Sequence, residues 1–270
     1  MADPSFKDLE HAGWSQRAGA YDAWFTHITS QAHDSLLNAL GVPLGGTRLL
    51  DVCSGTGYLA AAAARRGAVA EGLDFAREMV DQARANHPTV SFREGDAERL
   101  PYDDSSFDHV VSAFGHLHLP NADHAIEEAF RVLKPGGRYA FAVWRAHPDG
   151  YFQTVVDAIG RYGTTDVGLP PSPPFFRFGD PAECERVLRP AGFVDVETRA
   201  VDLMWEPTRT EDLVEWIYKC GVRTTMLLER QTPEARAAIH AAILHAGEAR
   251  RHNGTLRVPF PALIASARRP

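Results

Sequence analysis

One short stretch, Leu49-Leu50-Asp51-Val52-Cys53-Ser54-Gly55-Thr56-Gly57, decides the fold of this chain. Its apolar start predicts a buried strand that ends in a carboxylate and continues into a loop of small residues. The alanine-rich segment 58–66 follows directly and predicts a helix that Gly67 ends. Strand, tight loop and helix in this order open a doubly wound α/β fold, whose ligand site lies at the carboxyl ends of the strands.

The loop itself favours a polar ligand. Gly55 and Gly57 lack a Cβ atom, so a ligand can approach the backbone closely. Free N–H groups of the loop and of the helix N-terminus favour an anionic or strongly polar group. The string 55–60 also fits the pattern G-x-G-x-x-A of dinucleotide-binding proteins, with Asp74 near the distance at which such proteins grip a ribose. The loop alone therefore leaves two cofactor classes open.

The segments that follow alternate between strand and helix. Apolar or alternating runs predict strands at 69–74, 90–94, 107–113 and 138–144, and helices separate most of them, at 76–86 and from Asn121 to about 133. After an irregular stretch at 146–179, we expect a helix begun by Asp180-Pro181, a sixth strand at 193–203, helices near 210–228 and 233–250, and a last strand at 262–267. This alternation predicts a parallel sheet with helices on both faces.

Composition excludes several classes of protein. The 28 Lys and Arg against 35 Asp and Glu give a net charge of −7, which does not favour nucleic acid or an anionic membrane. Three scattered cysteines predict neither a disulfide framework nor a zinc site. The N-terminus lacks the apolar segment of a signal peptide, and no apolar run approaches membrane-spanning length. We therefore expect a cytoplasmic protein without membrane insertion; nothing in the sequence indicates an oligomeric state.

Four motifs together resemble the class I S-adenosylmethionine (SAM) methyltransferases, in the right order across residues 47–144. Asp51-x-x-x-Gly55-x-Gly57 is similar to motif I of that family, and Cys53 stands where the family usually has glycine. Asp74 matches the acidic residue that ends the second strand, and Asp96-Ala97 matches the adenine-contacting pair. The string 131–137, Arg-Val-Leu-Lys-Pro-Gly-Gly, resembles the family's turn into strand five. The motifs resemble those of small-molecule enzymes such as the ubiquinone and menaquinone C-methyltransferases.

The resemblance implies a set of cofactor-binding residues. Asp74 would accept hydrogen bonds from both ribose hydroxyls, and Asp96 from the adenine amino group, since ionised carboxylates are strong acceptors. Asp51 would lie near the ammonium group of the methionine end, where a pyrophosphate would fit less well. The implied set, taken along the chain, is Tyr21, Asp51, Cys53, Gly55, Gly57, Asp74, Phe75, Met79, Asp96, Ala97 and Ala113.

The resemblance also implies the overall architecture. We expect a Rossmann-like, doubly wound sheet of seven strands, mostly parallel with an antiparallel last strand, and a helical insertion before that strand. One methyltransferase domain would span residues 1–270, with an N-terminal helical lid at 1–46, a SAM-binding core at 47–144, and substrate-side elements and closing strands at 145–270. Aromatic residues concentrated outside the core, as in the helix around Trp14 and Tyr21, suggest a lid over an apolar pocket.

The predicted reaction is methyl transfer from SAM to a small, partly apolar or aromatic molecule, by in-line displacement. Two alternatives stay open: a methyltransferase fold that keeps SAM as a structural ligand for another reaction such as a cyclisation, and an NAD(P)-dependent oxidoreductase. No Tyr stands four residues before any of the three lysines, which disfavours a common reductase pattern. Ser172-Pro173-Pro174-Phe175 mimics a motif of nucleobase methyltransferases but falls after the wrong strand, so we interpret it as a rigid turn.

Two histidines follow the fourth predicted strand, and the resemblance places that loop beside the methyl acceptor. His116 or His118 could remove a proton from the acceptor as a general base. Because alternate residues of an extended chain point to opposite sides, we expect at most one of them to face the pocket. No carboxylate with the spacing of a metal-dependent methyltransferase accompanies them, so we expect no metal.

Overall fold

A computed structural model describes residues 4–270 of the chain. Its main sheet contains the strands β1 (Arg48–Val52), β2 (Val69–Asp74), β3 (Ser91–Glu94), β4 (Phe107–Ala113), β5 (Leu133–Trp144), β6 (Val194–Trp205) and β9 (Val258–Arg268). Between β6 and β9, the short strands β7 (Arg251–His252) and β8 (Thr255–Leu256) form a separate hairpin. The order of strands across the main sheet is β3-β2-β1-β4-β5-β9-β6.

Strand direction confirms the predicted sheet. Parallel pairs join β3 to β2, β2 to β1, β1 to β4 and β4 to β5. The last strand, β9, pairs with both β5 and β6 in antiparallel register. The main sheet therefore has seven strands, of which only β9 runs against the others.

The order of strands reverses between β1 and β4. From β1 the chain moves outward to β2 and β3, and it then returns to form β4 and β5 on the other side of β1. Such a reversal opens a crevice above the carboxyl ends of the two central strands. The register aligns Val52 with Leu73 and Asp51 with Val111, so these strands end at similar heights.

Eleven α-helices occur between residues 4 and 270. They are α1 (Phe6–Trp24), α2 (Thr26–Thr29), α3 (His33–Asn38), α4 (Tyr58–Arg65), α5 (Arg77–Asn86), α6 (Ala122–Val132), α7 (Tyr151–Tyr162), α8 (Pro181–Leu188), α9 (Asp212–Cys220), α10 (Arg223–Glu229) and α11 (Pro233–Glu248). As predicted, Asn121 caps α6 through its side chain, and Asp180 caps α8 with Pro181 in the first turn.

Helices cover both faces of the sheet because successive strand residues point to opposite sides. Leu49 joins a core that includes apolar residues of α3, α4, α7 and α11. Its neighbour Leu50 joins a second core, which includes α6 and α8. The near-continuous apolar character of β1 thus reflects burial on both faces.

Two local predictions differ from the structure. The helix expected near 210–228 is split into α9 and α10, because the backbone of Gly221 is extended (φ −87°, ψ 124°) and ends α9 there. The hairpin of β7 and β8 was not predicted, since its strands have only two residues each.

The N-terminal segment is not uniform. Beyond α1, the side chains of Phe25, Ile28, Leu36, Leu37 and Leu40 are buried in the same core as β1. This part of the predicted lid at 1–46 is therefore integral to the fold, and a movable lid can include little more than α1.

Candidate functional site

The glycine-rich loop between β1 and α4 has the backbone that the sequence implied. Cys53, Gly55 and Gly57 have φ angles of 58°, 51° and 89°. Left-handed φ explains why glycine suits these positions, and it means that Cys53 is held in a conformation unfavourable for a residue with a Cβ atom. A Cβ atom on Gly57 would come within 2.6 Å of the Phe92 ring, so packing also requires glycine there.

Asp74 braces this loop from the end of β2. One carboxylate oxygen accepts a hydrogen bond from the Gly55 N–H at 2.9 Å, and the other accepts one from the Ala76 N–H at 3.0 Å. Burial raises the pKa of Asp74, while the two backbone N–H groups oppose that shift. Each carboxylate oxygen has a second lone pair, so Asp74 can still accept from a ligand.

Asp51 has a buried oxygen atom without a partner. Its Oδ2 accepts from the Ala60 N–H at 3.0 Å, whereas Oδ1 has no hydrogen-bond partner within residues 4–270. Burial raises the pKa of this carboxyl well above its usual value. An unpaired buried acceptor is costly, so the site favours a ligand that brings a donor. Asp51 lines a small cavity of about 30 Å³, and the side chains of Tyr21 and His33 form other parts of its wall.

A cleft of about 70 Å³ adjoins this small cavity at the carboxyl ends of β1, β2 and β4. Ten of the eleven implied cofactor residues line the cleft or the small cavity: Tyr21, Asp51, Cys53, Gly55, Asp74, Phe75, Met79, Asp96, Ala97 and Ala113. The eleventh, Gly57, lines neither space and shapes the loop beside them. Ligand pockets usually measure about 300–1,000 Å³. The cleft is therefore nearly closed in this conformation.

The first helix closes the cleft. Lys7 of α1 forms ion pairs with Asp96 at 2.6 Å and with Glu98 at 2.8 Å. Farther along α1, Trp14 and Tyr21 line the cleft itself, with their rings in edge-to-face contact. Asp96 is thus already engaged by the helix that covers the site.

A second cavity, of about 300 Å³, lies beside the cleft. Most of its wall is aromatic or aliphatic; the aromatic side chains are Phe6, Trp14, Phe25, Trp144, Tyr151, Phe152, Phe175 and Trp216. Four residues line both the cavity and the cleft: Trp14, Phe25, His118 and Trp144. The segment Ser172–Phe175, interpreted from the sequence as a rigid turn, also forms part of the cavity wall.

The two candidate histidines lie in different surroundings. Residues 116–118 form a 3₁₀ turn instead of the extended chain that we expected. His118 faces the boundary between the two cavities, and its Nδ1 lies 2.8 Å from the carboxylate of Glu10.

His116 turns away from that boundary. It is fully buried, its Nε2 lies 2.6 Å from the Tyr139 hydroxyl, and its ring packs on Phe141. Burial lowers the pKa of His116 to about 3, and the charge of Arg177 lowers it further. Because it lines neither the cleft nor the large cavity, His116 is not in position to serve as the general base that the sequence suggested.

Sequence reasoning missed Lys7 and Glu10. Both belong to α1, and Glu10 lies between Phe6 and Trp14 at a spacing of four residues on the buried face of the helix. A buried carboxylate on an apolar helix face is a signal for a polar partner, but the sequence could not identify His118 as that partner.

Two negative observations concern residues 4–270. None of the helices there is long and apolar enough to cross a membrane. That same range holds no group of three or more His, Cys, Asp or Glu side chains that could bind a metal ion.

Comparison with known proteins identifies the family. A family model described as "Methyltransferase domain" matches residues 49–137. A demethylmenaquinone methyltransferase from Deinococcus radiodurans is 36% identical over 164 residues, which cover 54% of this chain and 67% of that protein. A demethylmenaquinone methyltransferase from Clavibacter sepedonicus is 30% identical over 219 residues, which cover 71% of this chain and 89% of the relative.

A solved structure has a similar fold. Phosphoethanolamine N-methyltransferase 2 of Haemonchus contortus, in complex with SAM, superposes with a TM-score of 0.60 at 19% identity, covering all of this chain and 61% of the other. At this identity the likeness concerns the fold alone. The two sequence relatives, matched over 67% and 89% of their own lengths, show that the chain belongs to the class I SAM-dependent methyltransferases and is similar to quinone methyltransferases.

Proposed function

We propose that the cleft and its small side cavity hold SAM, and that the 300 Å³ cavity holds a small, partly apolar or aromatic methyl acceptor. The observation that carries this proposal is the shared wall of the two spaces, formed by Trp14, Phe25, His118 and Trp144. A cofactor and an acceptor on either side of one boundary can meet there, which is the arrangement that a transfer reaction requires.

The chemistry of the cleft fits the cofactor. The unpaired Asp51 oxygen suits the ammonium group of the methionine end, and the free lone pairs of Asp74 suit a ribose diol. Asp96 and Ala97 lie beside the cleft where an adenine could contact them, once Lys7 releases Asp96. When bound, SAM supplies an electrophilic methyl group on a sulfonium centre.

The protein's own part is to position the acceptor and exclude water. Apolar residues of the cavity wall and of α1 surround the boundary, and His118 is the titratable side chain at that boundary that can receive a proton from the acceptor. Its Nδ1 faces the Glu10 carboxylate, so Nε2 is the nitrogen left for the acceptor.

We further propose that the chain forms one methyltransferase domain in three parts. These are the lid α1, the SAM-binding core at 47–144, and the substrate-side elements from 145 onward, which supply much of the cavity wall through α7, α9 and α10. Residues 25–46 contribute buried side chains to the same core as β1 and are therefore not counted as part of the lid.

Binding and transfer can be tested separately. Calorimetry should detect S-adenosylhomocysteine binding but no comparable affinity for NADH, which is the ligand of the oxidoreductase alternative. The enzyme should then be incubated with methyl-labelled SAM and a panel of one-, two- and three-ring phenols, hydroquinones and aromatic acids, with mass spectrometry of the products. Binding of S-adenosylhomocysteine together with conversion of a panel member without methylation would support the cyclisation class instead; tight NADH binding without SAM affinity would overturn the proposal.

A further inference from the structure

One arginine, Arg223, lies in the mostly apolar wall of the 300 Å³ cavity. Within residues 4–270, Arg223 is the only Lys or Arg side chain that lines this space, and most of its other wall residues are apolar. Its guanidinium lies over the Phe6 ring, with 5.7 Å between Cζ and the ring centroid. Burial lowers the pKa of Arg223, opposed by the negative charge of Glu10, so the side chain is partly removed from water.

Arg223 is poorly paired for a cation in such a position. One N–H donates to the carbonyl oxygen of Pro170 at 2.9 Å. No Asp or Glu oxygen of the described chain lies within 4.0 Å of its guanidinium nitrogens. A guanidinium has five N–H donors in a planar fork, so most of those of Arg223 have no partner among the described residues. Its place in the first turn of α10 adds no stability, since a helix N-terminus disfavours positive charge.

Helix α1 fixes where Arg223 lies relative to the cofactor cleft. Phe6, Glu10 and Trp14 follow one another at intervals of four residues and all line the 300 Å³ cavity. Four residues of an α-helix advance by about 6 Å. Trp14 borders the cleft, Glu10 contacts His118, and Phe6 contacts Arg223. Arg223 therefore lies toward the end of the cavity away from the cleft.

We propose that the methyl acceptor has an apolar, ring-containing body with a carboxylate at the end remote from the methylated atom, and that Arg223 pairs with this carboxylate. The inference rests on the proposed function, because it takes the cavity to be the acceptor site. A carboxylate matches the guanidinium fork with two parallel hydrogen bonds, and the aromatic wall between Arg223 and His118 holds the rings. The carboxylate fixes the acceptor's orientation, so that the opposite end faces the cleft.

Arg223 could instead serve only to anchor the loop at Pro170 through its hydrogen bond. In that case, replacing Arg223 would lower the affinity for neutral and anionic ligands alike, because the change would act through the shape of the cavity wall. Pairing with a carboxylate affects only the anionic ligand. A matched pair of ligands that differ in charge but not in shape separates the two roles.

The experiment uses the full chain saturated with S-adenosylhomocysteine and measures ligand binding by calorimetry. The probes are one-, two- and three-ring aromatic carboxylates, including 4′-hydroxybiphenyl-4-carboxylate, each compared with its primary amide. In the wild type, the best carboxylate should bind roughly ten- to a hundredfold more tightly than its amide. In Arg223→Gln that ratio should fall to near one, and in Arg223→Lys it should be intermediate, because a lysine keeps the charge without the fork.

Arg236→Gln is the matched control. Arg236 belongs to α11 and does not line the cavity, so this variant removes the same charge and should keep the wild-type ratio. The proposal is overturned if no carboxylate binds the wild type more tightly than its amide, or if Arg223→Gln weakens both members of a pair equally. Loss of S-adenosylhomocysteine binding by the wild type would instead count against the proposed function itself.

Discussion

The carboxylate of Glu10 lies 2.8 Å from Nδ1 of His118, at the boundary between the 70 Å³ cleft and the 300 Å³ cavity. Glu10 is buried and also accepts a hydrogen bond from the Trp14 indole N–H at 3.0 Å. An ionised carboxylate can only accept, so this contact places the proton of a neutral His118 on Nδ1 and leaves Nε2 as an acceptor. Glu10 thereby orients the histidine that we propose as general base, and it also ties the lid helix to the loop after β4.

The first prediction concerns this pair. His118→Ala should lower kcat roughly 10²- to 10⁴-fold for an acceptor that must lose a proton, with S-adenosylhomocysteine affinity nearly unchanged. Glu10→Gln should lower kcat less, because the histidine remains but is no longer held in one tautomer. Turnover with an acceptor from the screen, measured beside calorimetry, gives both quantities.

Added imidazole should partly restore His118→Ala, which a purely structural histidine would not allow. His116→Phe is the control, since this ring lies outside both cavities; it should retain kcat. Full activity of His118→Ala would show that positioning alone drives the transfer.

The second prediction concerns cofactor binding. Asp74→Ala removes the acceptor for the ribose hydroxyls and should weaken S-adenosylhomocysteine binding by about 1–3 kcal/mol, roughly ten- to a hundredfold. Gly55→Val should abolish binding, because φ at this position is 51° and a branched side chain would fill the cleft. Thermal melts of the free proteins serve as the control, since Asp74 also braces the loop. Unchanged affinity in a folded Asp74→Ala protein would contradict the assignment.

The third prediction separates the lid from the core. Removing residues 1–20 takes away most of α1 and should leave a folded protein whose affinity for S-adenosylhomocysteine is sharply reduced. Removing residues 1–29 also deletes the buried side chains of Phe25 and Ile28, and it should cost about 3–6 kcal/mol of additional stability. Denaturant unfolding and calorimetry on the two truncations test this division. Equal stability of both would place the boundary of the lid farther along the chain.

The fourth prediction concerns pH and stability. Burial lowers the pKa of His116 to about 3 and that of His33 to about 4. An unfolded histidine titrates near about 6.5, so at lower pH the unfolded chain binds protons that these buried rings exclude. The contribution of each of these two histidines to stability should therefore fall by roughly 2 kcal/mol as pH decreases from about 6.5 to about 5.

In His116→Phe, the free energy of unfolding should change less with pH than in the wild type, and the difference should equal the contribution of one histidine. This holds whatever the effect of the substitution on stability at neutral pH. Denaturant unfolding of the variant and the wild type across this pH range measures the two slopes. Identical slopes would mean that His116 is accessible to protons in the folded protein.

Much of the fold could be predicted because its signals are local. Apolar runs of strand length, Asp51 and Asp74 at strand ends, and the glycines between them specify one strand–loop–helix unit after another. The left-handed φ of Gly55 and Gly57 is likewise a property of the loop itself. Two predictions were wrong. The break between α9 and α10 was missed because it depends on the single residue Gly221. Residues 116–118 were expected to be extended, but they form a 3₁₀ turn, so the alternation of side chains in an extended chain does not apply to them.

The sequence by itself thus determined the order of elements and the acidic residues at the strand ends, since each depends on motifs within a few residues of one another. The antiparallel direction of the last strand was expected only from the resemblance to the methyltransferase family. Only the tertiary structure decided that Glu10 contacts His118, that Lys7 pairs with Asp96, and that Arg223 lines the 300 Å³ cavity without a carboxylate partner among residues 4–270. These relationships join residues about ninety to more than two hundred positions apart, and they arise from how α1 and α10 pack against the completed sheet and its loops. No periodicity along the chain encodes such a contact, because it depends on the position of whole helices in space.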